Sequence, residues 1–195
     1  MRAMNTTGTI TSATITSATL VALAPAIPGL IGDIRSDHAG ETGAVTIYRG
    51  ILAGCRDPAI RRFAAAHMAT EQGHLDLLDA LLPVGQRSVL LPVWRVAGWL
   101  TGFLPALVGP RAVYATIDAV ETFVDRHYEA QIRKLPGNGP GGALRATLIA
   151  CQADEVHHRD EARAAGSAPP GVALRAWAWI VGSGSAAAVA AARRI

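Results

Sequence analysis

The sequence is short of several things, and each shortage removes a class of protein. It has two cysteines in 195 residues, Cys55 and Cys151, which is too few for a disulfide framework or a cysteine-based zinc site. Aromatic residues make up 5% of the chain and charged residues 17%, against 50% hydrophobic residues; a disordered or collagen-like chain is excluded. Lysine is nearly missing, with Lys134 the single exception among 18 basic residues. Glutamate is scarce as well, at six residues against nine aspartates, and there are six histidines. The net charge of +3 is too small to point to nucleic acid or to an anionic surface. No apolar–polar alternation is long enough to suggest a strand. What remains is an alanine- and leucine-rich helical chain, long enough for one domain with a sizeable core.

Proline and glycine divide this chain into about six helices. The first is expected from Ile31 to Ala53 and the second from Ala59 to Leu82, with Asp57-Pro58 marking the restart between them. An apolar helix follows from Pro92, a fourth spans Arg111 to Leu135, a fifth Ala143 to Ala165, and a sixth closes the chain. The stretch Pro136-Gly-Asn-Gly-Pro-Gly-Gly142 reads as a loop. Residues 1–30 read as a disordered tail before a single domain over 31–195, because the first 20 residues hold nine Ser or Thr and no acid. The apolar run from Leu20 is interrupted by Pro25 and Pro28, unlike a secretory signal. Residues 89–108 are nearly all apolar and would span a bilayer by length. Pro92, Arg95 and Pro105 within them favour a monotopic or buried element instead. A second apolar stretch, 172–191, carries Trp177 and Trp179.

Two strings carry chemistry, Glu71-Gln-Gly-His74 and Glu155-Val-His-His158. Six Glu and six His in 195 residues predict well under one Glu-x-x-His by chance. Residues three apart share a helix face, so each pair aims a carboxylate and an imidazole at one point. Alone, such a pair is usually solvated. Here Glu41 lies 30 residues before Glu71 and Glu121 lies 34 before Glu155, so the chain reads as a duplicated helix pair. Ile34, Val45 and Leu52 share the face of Glu41, while Tyr114, Ile117, Val124 and Tyr128 share that of Glu121, which turns both carboxylates inward. This ligand order matches the template of ferritin-like di-iron and di-manganese bundles. Four buried carboxylates need compensating charge, and two divalent cations supply it. Carboxylate and imidazole donors suit iron or manganese. Asp37, Asp125 and Asp154 are candidates to accept hydrogen bonds from the ligand imidazoles, and Tyr48 to line the cavity. His38 and His127 stay open between polar rim and function, and His67 between a supporting role and the surface. His157 reads as solvated beside Asp160 or Glu161, and Glu129 and Glu161 as ordinary surface acids.

The strings Asp37-His-Ala-Gly-Glu41, Gly43-Ala44, Ile47-Tyr48, Glu71-Gln-Gly-His74-Leu75, Pro92-Val-Trp94, Val120-Glu121, His127-Tyr128 and Asp154-Glu155-Val-His-His158 together resemble the demethoxyubiquinone hydroxylases of ubiquinone biosynthesis. The resemblance covers about residues 34–195. It departs at Thr42, at the short glycine-rich loop and in the N-terminal tail, none of which touches a candidate ligand. It implies a ferritin-like bundle, with apolar helices added for membrane-surface association. Its six iron ligands would be Glu41, Glu71, His74, Glu121, Glu155 and His158, with Glu71 and Glu155 bridging, and no catalytic residue beyond them. The implied activity is ring hydroxylation of a demethoxy-polyprenyl-benzoquinol with O2, on two Fe ions, with NADH as the electron donor. No GxGxxG-type motif is present to bind a nicotinamide. The resemblance further implies a polyprenyl quinone and a membrane surface as partners. It leaves other ubiquinone-biosynthesis proteins and self-association open, and it gives no reason to expect nucleic acid. The implied location is peripheral, on the cytoplasmic face of a bacterial inner membrane or the matrix face of the mitochondrial one. Iron storage in a ferritin-like bundle and hydroxylation of a modified tRNA base are the alternatives. The Trp-bearing apolar segment disfavours the first, and the scattered arginines disfavour the second.

Overall fold

The computed structural model describes residues 15–166 and 170–195. Among these the chain is all-helical, in the order α1 (Ser17–Leu23), α2 (Leu30–Gly54), α3 (Pro58–Leu81), α4 (Leu91–Val108), α5 (Pro110–Ile132), α6 (Gly139–Gly166) and α7 (Val172–Ala192), with a 3-10 turn at Val84–Gln86. Helices α2, α3, α5 and α6 form the bundle that holds the polar centre, as expected of a ferritin-like fold. Helix α4 packs on α2 and α5, and α7 returns onto α5 and α2.

Local chemistry sets these boundaries. The Asp57 carboxylate accepts from the amides of Ala59 and Ile60 at 2.7 and 3.2 Å, capping α3, with Pro58 at its start. The stretch 136–142 departs from the expected loop, because α6 already begins at Gly139. Pro140 falls in the first turn, where an amide would have no helical partner to lose. The Gly142 amide donates to the Asn138 carbonyl at 2.9 Å and closes that turn. The expected tail also departs in part. Residues 1–14 lie outside the described residues, but Ser17–Leu23 is helical, with the Thr16 hydroxyl accepting from the Thr19 amide and Leu20 fully buried.

Two apolar clusters bracket the bundle's midpoint. One joins Leu20, Ile34, Leu78, Tyr128, Leu144 and Leu148; the other joins Ile47, Ile51, Ile60, Phe63, Val113 and Ile117. Each candidate carboxylate lies between a member of one cluster and a member of the other along its own helix, so packing at both ends fixes four helices around a shared polar level. The α2–α4 contact is unusually close. A Cβ on Gly102 would lie 1.9 Å from the Ile47 carbonyl oxygen, and one on Gly50 would lie 2.1 Å from that of Trp99. Only glycine fits there, and the two backbones touch as in the small-residue packing of membrane helices.

Candidate metal centre

All six candidate ligands are buried and come from the interior of the four bundle helices, Glu41 from α2, Glu71 and His74 from α3, Glu121 from α5, and Glu155 and His158 from α6. The structure brings them together in two overlapping groups, Glu41, Glu71, His74 and Glu155, and Glu71, Glu121, Glu155 and His158, with the ligand atoms of each group within 4.8 Å of one another. Glu71 and Glu155 belong to both groups, the geometry expected of shared carboxylates. The imidazoles cross over: His74 Nδ1 lies 3.1 Å from Glu155 Oε1, and His158 Nδ1 lies 3.0 Å from Glu71 Oε1. Neither contact is aligned as a hydrogen bond. Both oxygens of Glu71, both of Glu155 and both Nδ1 atoms are left without a hydrogen-bond partner. Orphaned buried groups of this kind are costly, and six of them converging with mixed carboxylate and imidazole chemistry fit two divalent cations.

The charges lead to the same reading. Burial, followed by repulsion from Glu71 and Glu155, pushes Glu41 well above the usual carboxylate range, and the same causes act on Glu121. Burial opposes ionisation of Glu71 too, but the adjacent His158 and His74 outweigh it and hold Glu71 at about 2. Burial would lower both imidazoles, yet the contacts with Glu155 and Glu71 raise His158 to about 9 and His74 strongly. Without cations, protons therefore hold the places that two metal ions would neutralise, and metal binding must displace them.

The surroundings fix the ligands. The Tyr128 hydroxyl donates to Glu41 Oε1 at 2.6 Å, and the Tyr48 hydroxyl donates to Glu121 Oε1 at 3.2 Å, so α2 and α5 each support the other's buried carboxylate. Burial, and then the facing carboxylate, pushes both phenols well above their usual range and keeps them protonated donors. His74 Nε2 lies 3.1 Å from Asp154 Oδ2, as expected for an orienting aspartate. A cavity of about 300 Å³ reaches the carboxylates of Glu41, Glu71, Glu121 and Glu155 from beneath α4 and α7. Trp94, Phe123, Val124, Trp177, Ile180 and Val181 make its wall largely apolar, and Gly40 and Gly43, with open space where a Cβ would stand, leave it room.

This constellation has counterparts among known proteins. Residues 31–192 match the family described as Ubiquinone biosynthesis protein COQ7. The chain belongs to the COQ7 family. It is 36% identical over 129 residues to an NADPH-dependent 3-demethoxyubiquinone 3-hydroxylase, mitochondrial, of Dictyostelium discoideum, covering 64% of this chain and 59% of the relative. It is 36% identical over 130 residues to a 3-demethoxyubiquinol 3-hydroxylase of Rhodospirillum rubrum, covering 65% and 60%. A mitochondrial NADPH-dependent 3-demethoxyubiquinone 3-hydroxylase of Caenorhabditis elegans matches at 32% over 168 residues, 83% of this chain and 88% of the relative. The matches thus span about three fifths of the first two relatives.

In this COQ7-family chain the structure redistributes several supporting residues. Asp37 does not meet a candidate ligand imidazole; its Oδ1 pairs with His127 Nε2 at 2.9 Å and accepts from Gln131 Nε2 at 2.5 Å. Asp125 is taken by Arg159 at 2.6 Å and Gln152 at 2.8 Å. His38 is buried against Asp79 at 2.9 Å, and His127 joins the cavity wall. His157 is exposed and 3.7 Å from Glu161. Glu161 is more than a surface acid, because its Oε2 lies 2.8 Å from the buried His67. Tyr48 lies between His67 and Glu121, behind the carboxylate. The tyrosine support had a signal in the sequence: Tyr48 follows Glu41, and Tyr128 follows Glu121, by seven residues, the same face two turns on.

Proposed function

We propose that the chain is a two-iron hydroxylase that places one oxygen atom on the ring of a demethoxy-polyprenyl-benzoquinol, a step of ubiquinone biosynthesis, at a membrane surface. The observation that carries this reading is the apolar cavity ending on four carboxylates. A storage site needs ion access, whereas this cavity suits an apolar molecule presented to a metal pair. The names of the relatives supply the substrate class.

Glu41, Glu71, His74, Glu121, Glu155 and His158 would hold the irons, with Glu71 and Glu155 shared between them. When bound, a redox-active iron pair supplies the electron transfer to O2 that no side chain here can perform. The protein's own part is positioning. Tyr128 and Tyr48 hold the Glu41 and Glu121 carboxylates by donated hydrogen bonds, and Asp154 fixes the His74 tautomer so that Nδ1 faces the centre. The glycines of the cavity wall admit a planar ring, and its aromatic and branched residues exclude water from the reacting atoms. His127, fixed by Asp37, gives the wall a polar group that suits a ring oxygen.

Helices α4 and α7 are long and apolar enough to cross a membrane by length and composition, with 22% and 6% of those residues buried. We read them as lying on the bilayer surface, where the cavity beneath them receives a polyprenyl tail. Relatives named as mitochondrial and relatives from bacteria accommodate either a bacterial inner membrane or a mitochondrial one. A reduced nicotinamide is the proposed electron source. NADH is the expected form, and the mitochondrial relatives' names specify NADPH.

The test is reconstitution with Fe(II), a reductant, a demethoxyquinol and 18O2, read by mass spectrometry. The expected product carries one 18O atom. A sample holding two irons per chain that yields no such product overturns the hydroxylase reading.

A further inference from the structure

The two halves of the centre are related by the duplicated pattern, α2 with α5 and α3 with α6, but their outer supports differ. On one side a continuous chain of polar side chains leads out from Glu121. The Tyr48 hydroxyl lies 3.2 Å from Glu121 Oε1 and 3.3 Å from His67 Nδ1, and His67 Nε2 lies 2.8 Å from Glu161 Oε2. Four helices contribute one member each, and Glu161 is half-exposed while the rest are buried. The His67 ring also lies face to face with that of His158, with centroids 4.0 Å apart and planes 15° apart.

Mapping this chain onto the other half interrupts it. Tyr128 corresponds to Tyr48, seven residues after its Glu. The position four before Glu155 is Cys151, where His67 stands four before Glu71. The position three after His74 is Leu77, where Glu161 stands three after His158. Neither Cys151 nor Leu77 can reproduce the imidazole–carboxylate pair. In that half the support is Asp154 on His74 instead, and its counterpart, one residue before Glu71, is Thr70.

We infer that Glu161, His67 and Tyr48 form a positioning strut from the protein surface to Glu121, and that it supports only the metal position made by Glu121 and His158. This rests on the two-metal reading above. Glu161 selects the tautomer of His67 with hydrogen on Nε2. Nδ1 is then left as an acceptor and shares the single Tyr48 O–H with Glu121 Oε1, at 3.3 and 3.2 Å, which holds the hydroxyl between the two, while the imidazole plane holds the His158 ring by stacking. The two metal positions are therefore inequivalent although their ligand sets are alike.

The test is a titration of the metal-free full chain with Co(II), following the visible absorption of each bound ion. Wild type is expected to bind two Co(II). In Glu161→Leu and His67→Phe, the affinity of one Co(II) should fall about ten- to a hundredfold, the usual effect of losing an outer support, with a change in that ion's absorption band. The other Co(II) should bind as in wild type. Glu161→Gln retains an acceptor for His67 and should restore wild-type binding, which a general loss of folding would not allow. Unchanged binding in both variants, equal losses at both positions, or no rescue by Glu161→Gln would overturn the strut. Wild type binding fewer than two Co(II) would instead remove the two-metal reading, and the strut with it.

Discussion

Glu121 is a residue whose burial burdens a metal-free protein and would be relieved by a bound metal ion. It is buried at 1% exposure among three other carboxylates, and burial with their repulsion raises it well above its usual range. Replacing it with Gln removes that conflict and keeps the Tyr48 hydrogen bond. Metal-free Glu121→Gln should therefore melt several degrees above metal-free wild type, at about 2–4 °C per kcal/mol for a chain of this size, while losing one metal ion. Differential scanning of both metal-free proteins checks this. The sign of the pH dependence follows from the same groups. His158, raised to about 9, contributes stability that is present below its unfolded value near 6.5 and lost as pH rises through 9. The raised carboxyls of Glu41 and Glu121 act with the same sign. Glu71, lowered to about 2, acts oppositely, but only as pH falls below its unfolded value. The Tm of the metal-free protein should thus fall between pH 6.5 and 9, and metal should flatten the profile. A metal-free Tm that rises over this window would contradict the charge assignment.

Among the elements, α4 depends most on single residues. Its approach to α2 leaves no room for a side chain at Gly102, so Gly102→Leu should destabilise the chain by about 1–3 kcal/mol or more. It should also disturb the cavity wall formed by Gly98 and Trp94. Chemical denaturation of the variant measures the first effect. The sequence was readable here to different depths. The four bundle helices and the clustering of six Glu and His residues at their shared level were legible because periodicity, the Asp57-Pro58 cap and the repeated Glu-x-x-His are local signals. The start of α6 was not, because a Pro-Gly-rich stretch looks the same whether it forms a loop or a first turn. The short α1 was hidden in a Ser/Thr-rich composition, its position set by Leu20 reaching the core. The roles of Asp37, Asp125 and Glu161 depended on which helices face each other, and spacing along the chain carries no such information.

For the whole molecule, the bundle buries its polar centre at the middle and leaves apolar surface outside. Val93, Val96, Leu104, Leu107, Trp179 and Ile180 are exposed on α4 and α7, an amount of bare apolar surface that water alone does not favour. Leu107→Glu with Trp179→Glu should abolish co-sedimentation with lipid vesicles while leaving helical content and metal binding unchanged. Vesicle binding equal to wild type would contradict a membrane-facing role for this surface. The account as a whole depends on the bundle holding a metal pair through shared carboxylates, and the most direct test is the iron content per chain after anaerobic loading with Fe(II) and removal of excess. Wild type should retain two irons. Glu155→Ala, which removes a ligand from both groups, should lose both. One iron or none in wild type, or two irons in Glu155→Ala, would contradict it.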